Sequence, residues 1–117
     1  MRVYILDKHD KCREQMLKWL LEDKRLTRAE VFEDYILFIE RIGKHPPDLC
    51  FIRLGWEGIP GLKTADMVKQ SSPKTRIVFI ADDRDYALDA HEVGADGYLL
   101  CPVERTRFEK CFEKKEM

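Results

Sequence analysis

The chain has 117 residues, room for one domain with a real core and too few for two. Its 21 Lys and Arg nearly cancel 22 Asp and Glu, giving a net charge of -1. That balance argues against a nucleic-acid surface, which needs clustered positive charge. No apolar run is long enough to span a bilayer, and MRVYILD is too short for a signal peptide. The four cysteines, Cys12, Cys50, Cys101 and Cys111, form no CxxC pair, so the reading is a reduced cytoplasmic protein rather than a disulfide scaffold.

Short apolar runs alternate with helical spacing along the chain. Val3 to Leu6 predicts a strand buried on both faces and ending at Asp7. Met16, Leu17, Trp19, Leu20 and Leu21 recur at helical spacing, with Asp10 as the expected N-cap. Ala29 to Phe32 is a weaker strand. Tyr35, Ile36, Phe38, Ile39 and Ile42 predict a second helix stopped by Gly43, with Pro46 and Pro47 beyond. Leu49 to Ile52 is the third strand and is followed by a glycine-rich turn from Gly55 to Gly61. Leu62, Ala65, Met67 and Val68 predict a third helix ending before Ser71. Ile77 to Ile80 is the fourth strand, and Tyr86, Leu88, Ala90 and Val93 mark a fourth helix closed at Gly94. Tyr98 to Leu100 is the fifth strand, and Val103, Phe108 and Phe112 lie along a last amphipathic helix.

This alternation predicts one α/β domain over residues 1–117: a doubly wound, five-stranded parallel sheet with five helices. The commonest order for that count is 2-1-3-4-5, with the functional crevice beyond the carboxyl ends of the strands. Asp7-Lys8-His9, Arg53, Ala81-Asp82-Asp83 and Cys101-Pro102 fall at those ends.

At these strand ends the sequence resembles the receiver domain of two-component response regulators. The resemblance is carried by VYILD, by PDLCFIRLGWEGIPGL and by IVFIADDRDYALDAHEVGADGYLLCPV. The YALDAHEVGADGYLL wording is similar to receivers that precede LytTR-type DNA-binding domains. The family binds a divalent metal through two acids after strand one and the phosphoacceptor aspartate after strand three. A hydroxyl residue after strand four and a lysine before the last proline complete its pocket. Asp7 matches the first acid. Lys8, Arg53, Ala81 and Cys101 stand where the resemblance implies the second acid, the acceptor, the hydroxyl and the lysine.

A standard pocket sums to about -2 and draws a hard cation to oxygen ligands. Asp7, Lys8 and Arg53 together sum to +1. Two like unit charges repel by about 4 kcal/mol at 4 Å with an effective dielectric of ~20, and a divalent ion doubles that for each cation beside it. A guanidinium stays protonated and offers no nucleophilic lone pair. A charge at the end of a buried strand needs a partner, so Asp7 is expected to pair with Arg53.

The implied function is an atypical receiver, a pseudo-receiver. It is a non-enzymatic, cytoplasmic signalling module without cofactor or metal, acting through protein contacts rather than aspartyl phosphate. Its expected partners are another protein or an output domain, as in the regulatory half of a transcription regulator, with no membrane or direct nucleic-acid contact. By the resemblance, Tyr86, His91, Tyr98, Phe108 and Phe112 lie on or near the helix 4–strand 5–helix 5 face, where receivers dimerise or meet outputs. Most of these aromatics are expected in the core, and one or two exposed ones would mark an interface. Two alternatives stand beside this reading. One is a conventional phosphorelay with a displaced acceptor, Glu57 or Asp82. The other is a redox or small-anion sensor using Cys101 or a cationic Lys8–Arg53 crevice. The bland readings are a solvated loop for His9, Glu57 and the Asp82–Asp83 pair, and an inert filler for Cys101. Trp56 is an exposed anchor candidate, and by the resemblance the Cys101–Pro102 bond is cis.

Overall fold

A computed structural model describes residues 1–113. Its elements run β1 (Arg2–Leu6), α1 (Asp10–Glu22), β2 (Arg28–Phe32), α2 (Tyr35–Lys44) and β3 (Leu49–Arg53). They continue as α3 (Gly61–Ser71), β4 (Arg76–Ala81), α4 (Ala87–Glu92), β5 (Gly97–Leu100) and α5 (Arg105–Lys110). The five strands form one parallel sheet in the order β2-β1-β3-β4-β5, as the alternation predicts.

The apolar content of each strand follows its place in the sheet. β1, β3 and β4 lie inside and are buried almost throughout, whereas the edge strand β2 keeps only partial burial. Alternation along each strand then splits the core in two. Tyr4, Leu6, Cys50, Ile52 and Phe79 face α2, α3 and α4. Val3, Ile5, Leu49, Phe51, Val78, Ile80 and Leu99 face α1 and α5, where they meet Met16, Leu20 and Phe108.

Several boundaries differ from the sequence expectation for local reasons. The N-cap of α1 is His9, not Asp10: its backbone is extended and its Nδ1 accepts from the Cys12 N–H at 3.1 Å. Asp10 is instead the first helical residue, where it pairs with Arg13 at 2.8 Å. Helix α2 is capped by Asp34 and runs through Gly43 to Lys44, because an internal glycine costs only about 1 kcal/mol and does not stop a helix. Helix α3 takes in Ser71. Helix α4 is shorter than expected. Tyr86 is its N-cap, and Leu88, expected on its apolar face, is 70% exposed. Helix α5 is six residues long, so Val103 precedes it and Phe112 follows it, both packed on the α1/α5 core.

Two glycines have opposite expected effects. A Cβ at Gly61 would lie 2.5 Å from the Arg53 carbonyl oxygen and 2.6 Å from Leu54 Cδ2, whereas Gly43 has open space around it. Gly61→Ala should therefore cost about 1–3 kcal/mol, through a backbone clash beside β3. Gly43→Ala should stabilise by about 0.4–1 kcal/mol. Urea unfolding of the two variants checks the opposite signs.

Candidate functional site

The period of two that divides the core also builds the site. On β1 the α1/α5 face is occupied by Val3 and Ile5, and the next residue on that side is Asp7. On β3 the same count runs Leu49, Phe51, Arg53; on β4 it runs Val78, Ile80, Asp82. On β5 Leu99 is followed by Cys101. Two carboxylates, a guanidinium and a thiol thus converge at one corner, one from the carboxyl end of each of four adjacent strands. Leu6 and Ile52 are register partners, so Asp7 and Arg53 are the next pair outward.

Asp7 and Arg53 are both fully buried and joined by two parallel hydrogen bonds. Arg53 Nε donates to Oδ1 and Nη2 to Oδ2, each at 2.9 Å. Asp7 Oδ1 also accepts from the His9 N–H at 2.9 Å, which ties the pair to the cap of α1. The remaining donors of Arg53 are used too: Nη1 reaches Asp82 Oδ1 at 3.3 Å and Nη2 reaches Cys101 Sγ at 3.2 Å. The Trp56 ring covers the guanidinium, with 5.5 Å from Cζ to the ring centroid, while its Nε1 donates to Asp82 Oδ2 at 3.4 Å. Burial works against the charged form of Arg53, but the hydrogen bonds and attraction of Asp7 outweigh it and raise its pKa.

Cys101 closes the corner. Its Sγ lies 2.9 Å from Cys12 Sγ on α1. The Cys12 hydrogen bond, aided by Arg53 and opposed by burial, brings the Cys101 pKa down to about 6. The same contact, together with burial, pushes Cys12 upward. The Cys101–Pro102 peptide is cis, as the resemblance implies.

These contacts alter several of the sequence expectations. Asp82, read as solvated loop, is a ligand of Arg53; with Asp7 and Arg53 it brings the corner to -1 rather than the +1 expected from Asp7, Lys8 and Arg53. Lys8 is exposed, and its Nζ lies over Gly58 rather than beside Arg53. There is no open cationic crevice, because Arg53 is fully buried and every guanidinium nitrogen has a partner. Trp56 is half-buried over Arg53 and His9 rather than a free anchor. Ala81 is buried on the opposite, α2/α3/α4 face.

The interface candidates separate in the same way. His91 is exposed and Tyr86 half-buried. Tyr98 is half-buried, with its hydroxyl donating to the Asp83 carbonyl at 2.7 Å. Phe108 is fully buried between Trp19, Phe51 and Phe112, because α5 turns its one large apolar residue inward. Phe112 is buried with it. Phe108 belongs to the core, not to a surface. Leu88 on α4 is an apolar residue left 70% exposed.

The response-regulator receiver domain family model matches residues 3–113. The chain belongs to the response-regulator receivers. It is therefore a receiver domain of two-component signalling, and receivers of this kind act on partner or output domains. Among curated relatives, the sensory transduction protein LytT of Bacillus anthracis is 29% identical over 118 residues, covering 97% of this chain and 46% of that protein. The transcriptional regulatory protein YpdB of Escherichia coli strain K12 is 26% identical, covering 88% of this chain and 43% of the relative. The receiver thus spans about half the length of these relatives. In fold it is similar to the response regulatory domain of mrkE from Klebsiella pneumoniae, with a TM-score of 0.83, 21% identity, and coverage of 94% of this chain and 93% of that one.

The family implies a divalent cation at this corner, and the side chains present do not fit one. Both Asp7 oxygens are engaged by a buried guanidinium, whose charge would sit where the ion's charge has to go. Among the described residues no group of three or more His, Cys, Asp and Glu is placed to hold a metal ion. No helix among them is long and apolar enough to cross a membrane.

Proposed function

We propose that this receiver is a pseudo-receiver: a cytoplasmic, non-enzymatic module that signals through protein contacts and takes no phosphoryl group from a histidine kinase. The observation that carries the reading is Arg53 at the position implied for the acceptor, buried and doubly hydrogen-bonded to Asp7. A phosphoacceptor must offer a carboxylate oxygen to phosphorus, and a guanidinium has none. The family's divalent ion offsets the negative charge of the carboxylates and of the incoming phosphate. Here that electrostatic role falls to a permanent ion pair which no substrate has to complete. Ala81 has no hydroxyl to follow a phosphate, and it lies on the other face of β4.

A displaced acceptor finds no support at the site. Asp82 is already bound by Arg53 and Trp56, and Glu57 is an exposed turn residue. Partner contact is assigned to the α4–β5–α5 face, as a homodimer or against an output domain. Leu88, His91, Tyr86 and Tyr98 supply its accessible apolar and aromatic surface. A groove of about 610 Å³ lined by Arg84, Ala87, Tyr98, Pro102 and Arg107 continues that face. By analogy with the longer transcriptional regulatory protein YpdB, the module serves as the regulatory half of a transcription regulator.

Magnesium with beryllofluoride, a phosphate mimic, tests the reading. Amide shifts of Asp7, Arg53 and Tyr98 should stay unchanged, while a receiver with an intact acid pocket responds in the same buffer. Saturable shifts clustered at the strand ends would overturn it.

A further inference from the structure

The contact between Cys12 and Cys101 is not used by the ion pair, nor by anything proposed above. The two residues are 89 apart in sequence, one in the first turn of α1 and the other just after β5, yet their sulfurs touch at 2.9 Å. Both are free thiols. They share the wall of an open groove of about 480 Å³, together with His9, Met16, Trp19 and Pro102. Cys101 is partly exposed there, whereas Cys12 is nearly buried behind it.

We propose that Cys101 and Cys12 form a hydroperoxide-sensitive modification site, in which Cys101 is the attacking thiol and Cys12 the resolving one. The roles follow from position and hydrogen bonding. Cys101 faces the groove and accepts a charged hydrogen bond from Arg53 Nη2 at 3.2 Å, the arrangement that favours a thiolate. Cys12 sits behind it as the neutral partner. Its lowered pKa, about 6, makes Cys101 mostly thiolate at neutral pH, in keeping with this assignment.

In the first step the Cys101 thiolate attacks one oxygen of a hydroperoxide. The S–O bond forms, the O–O bond breaks, and the leaving oxygen takes up a proton as water or alcohol. In the second, Cys12 sulfur attacks the Cys101 sulfenic sulfur. The S–S bond forms, the S–O bond breaks, and the departing hydroxide takes the Cys12 proton and leaves as water. Two thiols lose two electrons in all, and one hydroperoxide gains them.

With the sulfurs already in contact, closing the bond asks for side-chain adjustment rather than backbone travel. The product removes the Cys101 thiolate from Arg53 and ties the start of the β5–α5 connection to α1. It therefore acts on the edge of the α4–β5–α5 face. In a cytoplasm that keeps structural thiols reduced, a pair of this kind is suited to transient oxidation. The inference rests on Arg53 beside Cys101 and not on the loss of phosphorylation, since the same contacts would hold if a residue elsewhere in the chain took a phosphoryl group.

The other two cysteines serve as internal controls. Burial pushes the pKa of both Cys50 and Cys111 upward, Cys111 to about 11. The reduced 117-residue chain is treated with hydrogen peroxide at neutral pH and followed by intact mass and peptide mapping. The expected result is loss of two hydrogens and a single linked peptide joining Cys12 to Cys101, reversed by a dithiol reductant. Cys101 should react at least ~10-fold faster than Cys111, as its larger thiolate fraction requires. In Cys12→Ser, Cys101 should stop at the sulfenic acid and be trapped by a 1,3-diketone. Equal rates at Cys101 and Cys111, a link through Cys50 or Cys111, or stable oxygen addition at Cys101 in the wild-type chain would each overturn the proposal. The wild-type mapping decides the question even if a serine variant folds poorly.

Discussion

Replacing Asp7 by alanine is expected to cost about 3–5 kcal/mol of folding stability, because it strands a buried guanidinium. Arg53 is fully buried and donates two hydrogen bonds to Asp7. Without them it keeps the longer contact to Asp82, whose side chain is 62% exposed, the contact to Cys101 and the Trp56 ring over it. Solvent screening weakens the Asp82 contribution, so Asp82 does not substitute for Asp7. For a domain whose whole stability is on the order of 5–15 kcal/mol, the loss approaches unfolding.

The second variant decides what the pair is for. Asp7→Ala combined with Arg53→Met removes both charges and fills the corner with an unbranched apolar side chain, next to Cys12, Cys101 and Trp56. Most of the lost stability should return, because a buried ion pair offsets its own desolvation and adds little beyond that. Urea unfolding of wild type, both single variants and the double variant gives the coupling directly. Strictly additive losses would show that Asp7 and Arg53 act independently. Recovery in the double variant means that the pair is retained for something other than net stability. Holding the corner of four strands in one arrangement is the role its geometry offers.

Phe108→Ala should be as damaging, at about 3–5 kcal/mol. The ring is fully buried, stacked on Phe51 at 4.9 Å and edge-on to Phe112 at 5.2 Å. Helix α5 has six residues, far below the length at which a helix holds together alone. Its position therefore rests on the side chain it inserts. Hydrogen exchange should show protection lost across Arg105–Lys110 beyond the fall in global stability. His91→Ala, on the exposed side of α4, should change stability by no more than about 0.5 kcal/mol. A Phe108→Ala chain with unchanged unfolding but impaired association would instead return Phe108 to the interface.

Phe108 and Arg53 differ in the length of the pattern each belongs to. Arg53 interrupts a continuous apolar run, and a charge at the end of a buried strand demands a counter-charge whatever the details. Asp7 ends the neighbouring run in the same way, so the pair was legible from strand ends alone. Phe108 stands in a six-residue helix, too short for helical spacing to say which side faces the sheet. The resemblance supplied a surface there, and packing against Phe51 supplied a core.

Asp82 carries its signal in the period of β4. Val78, Ile80 and Asp82 continue one alternation, which puts the carboxylate on the same face as Arg53. Read by period rather than as a loop residue, it would have joined the cluster. Cys12 carried no such signal. Its contact with Cys101 spans 89 residues and depends on how α1 crosses the sheet.

Alternation of apolar runs with helical spacing determined the doubly wound class, the five strands and the charged strand ends, because burial on both faces writes itself into each local stretch. The tertiary structure alone decided which cations were satisfied and which thiols met. Lys8 and Arg53 are equal as letters; the fold leaves one in solvent and closes the other under Trp56. Contacts of that kind are set by how separate elements pack together, and no short stretch of sequence encodes that packing.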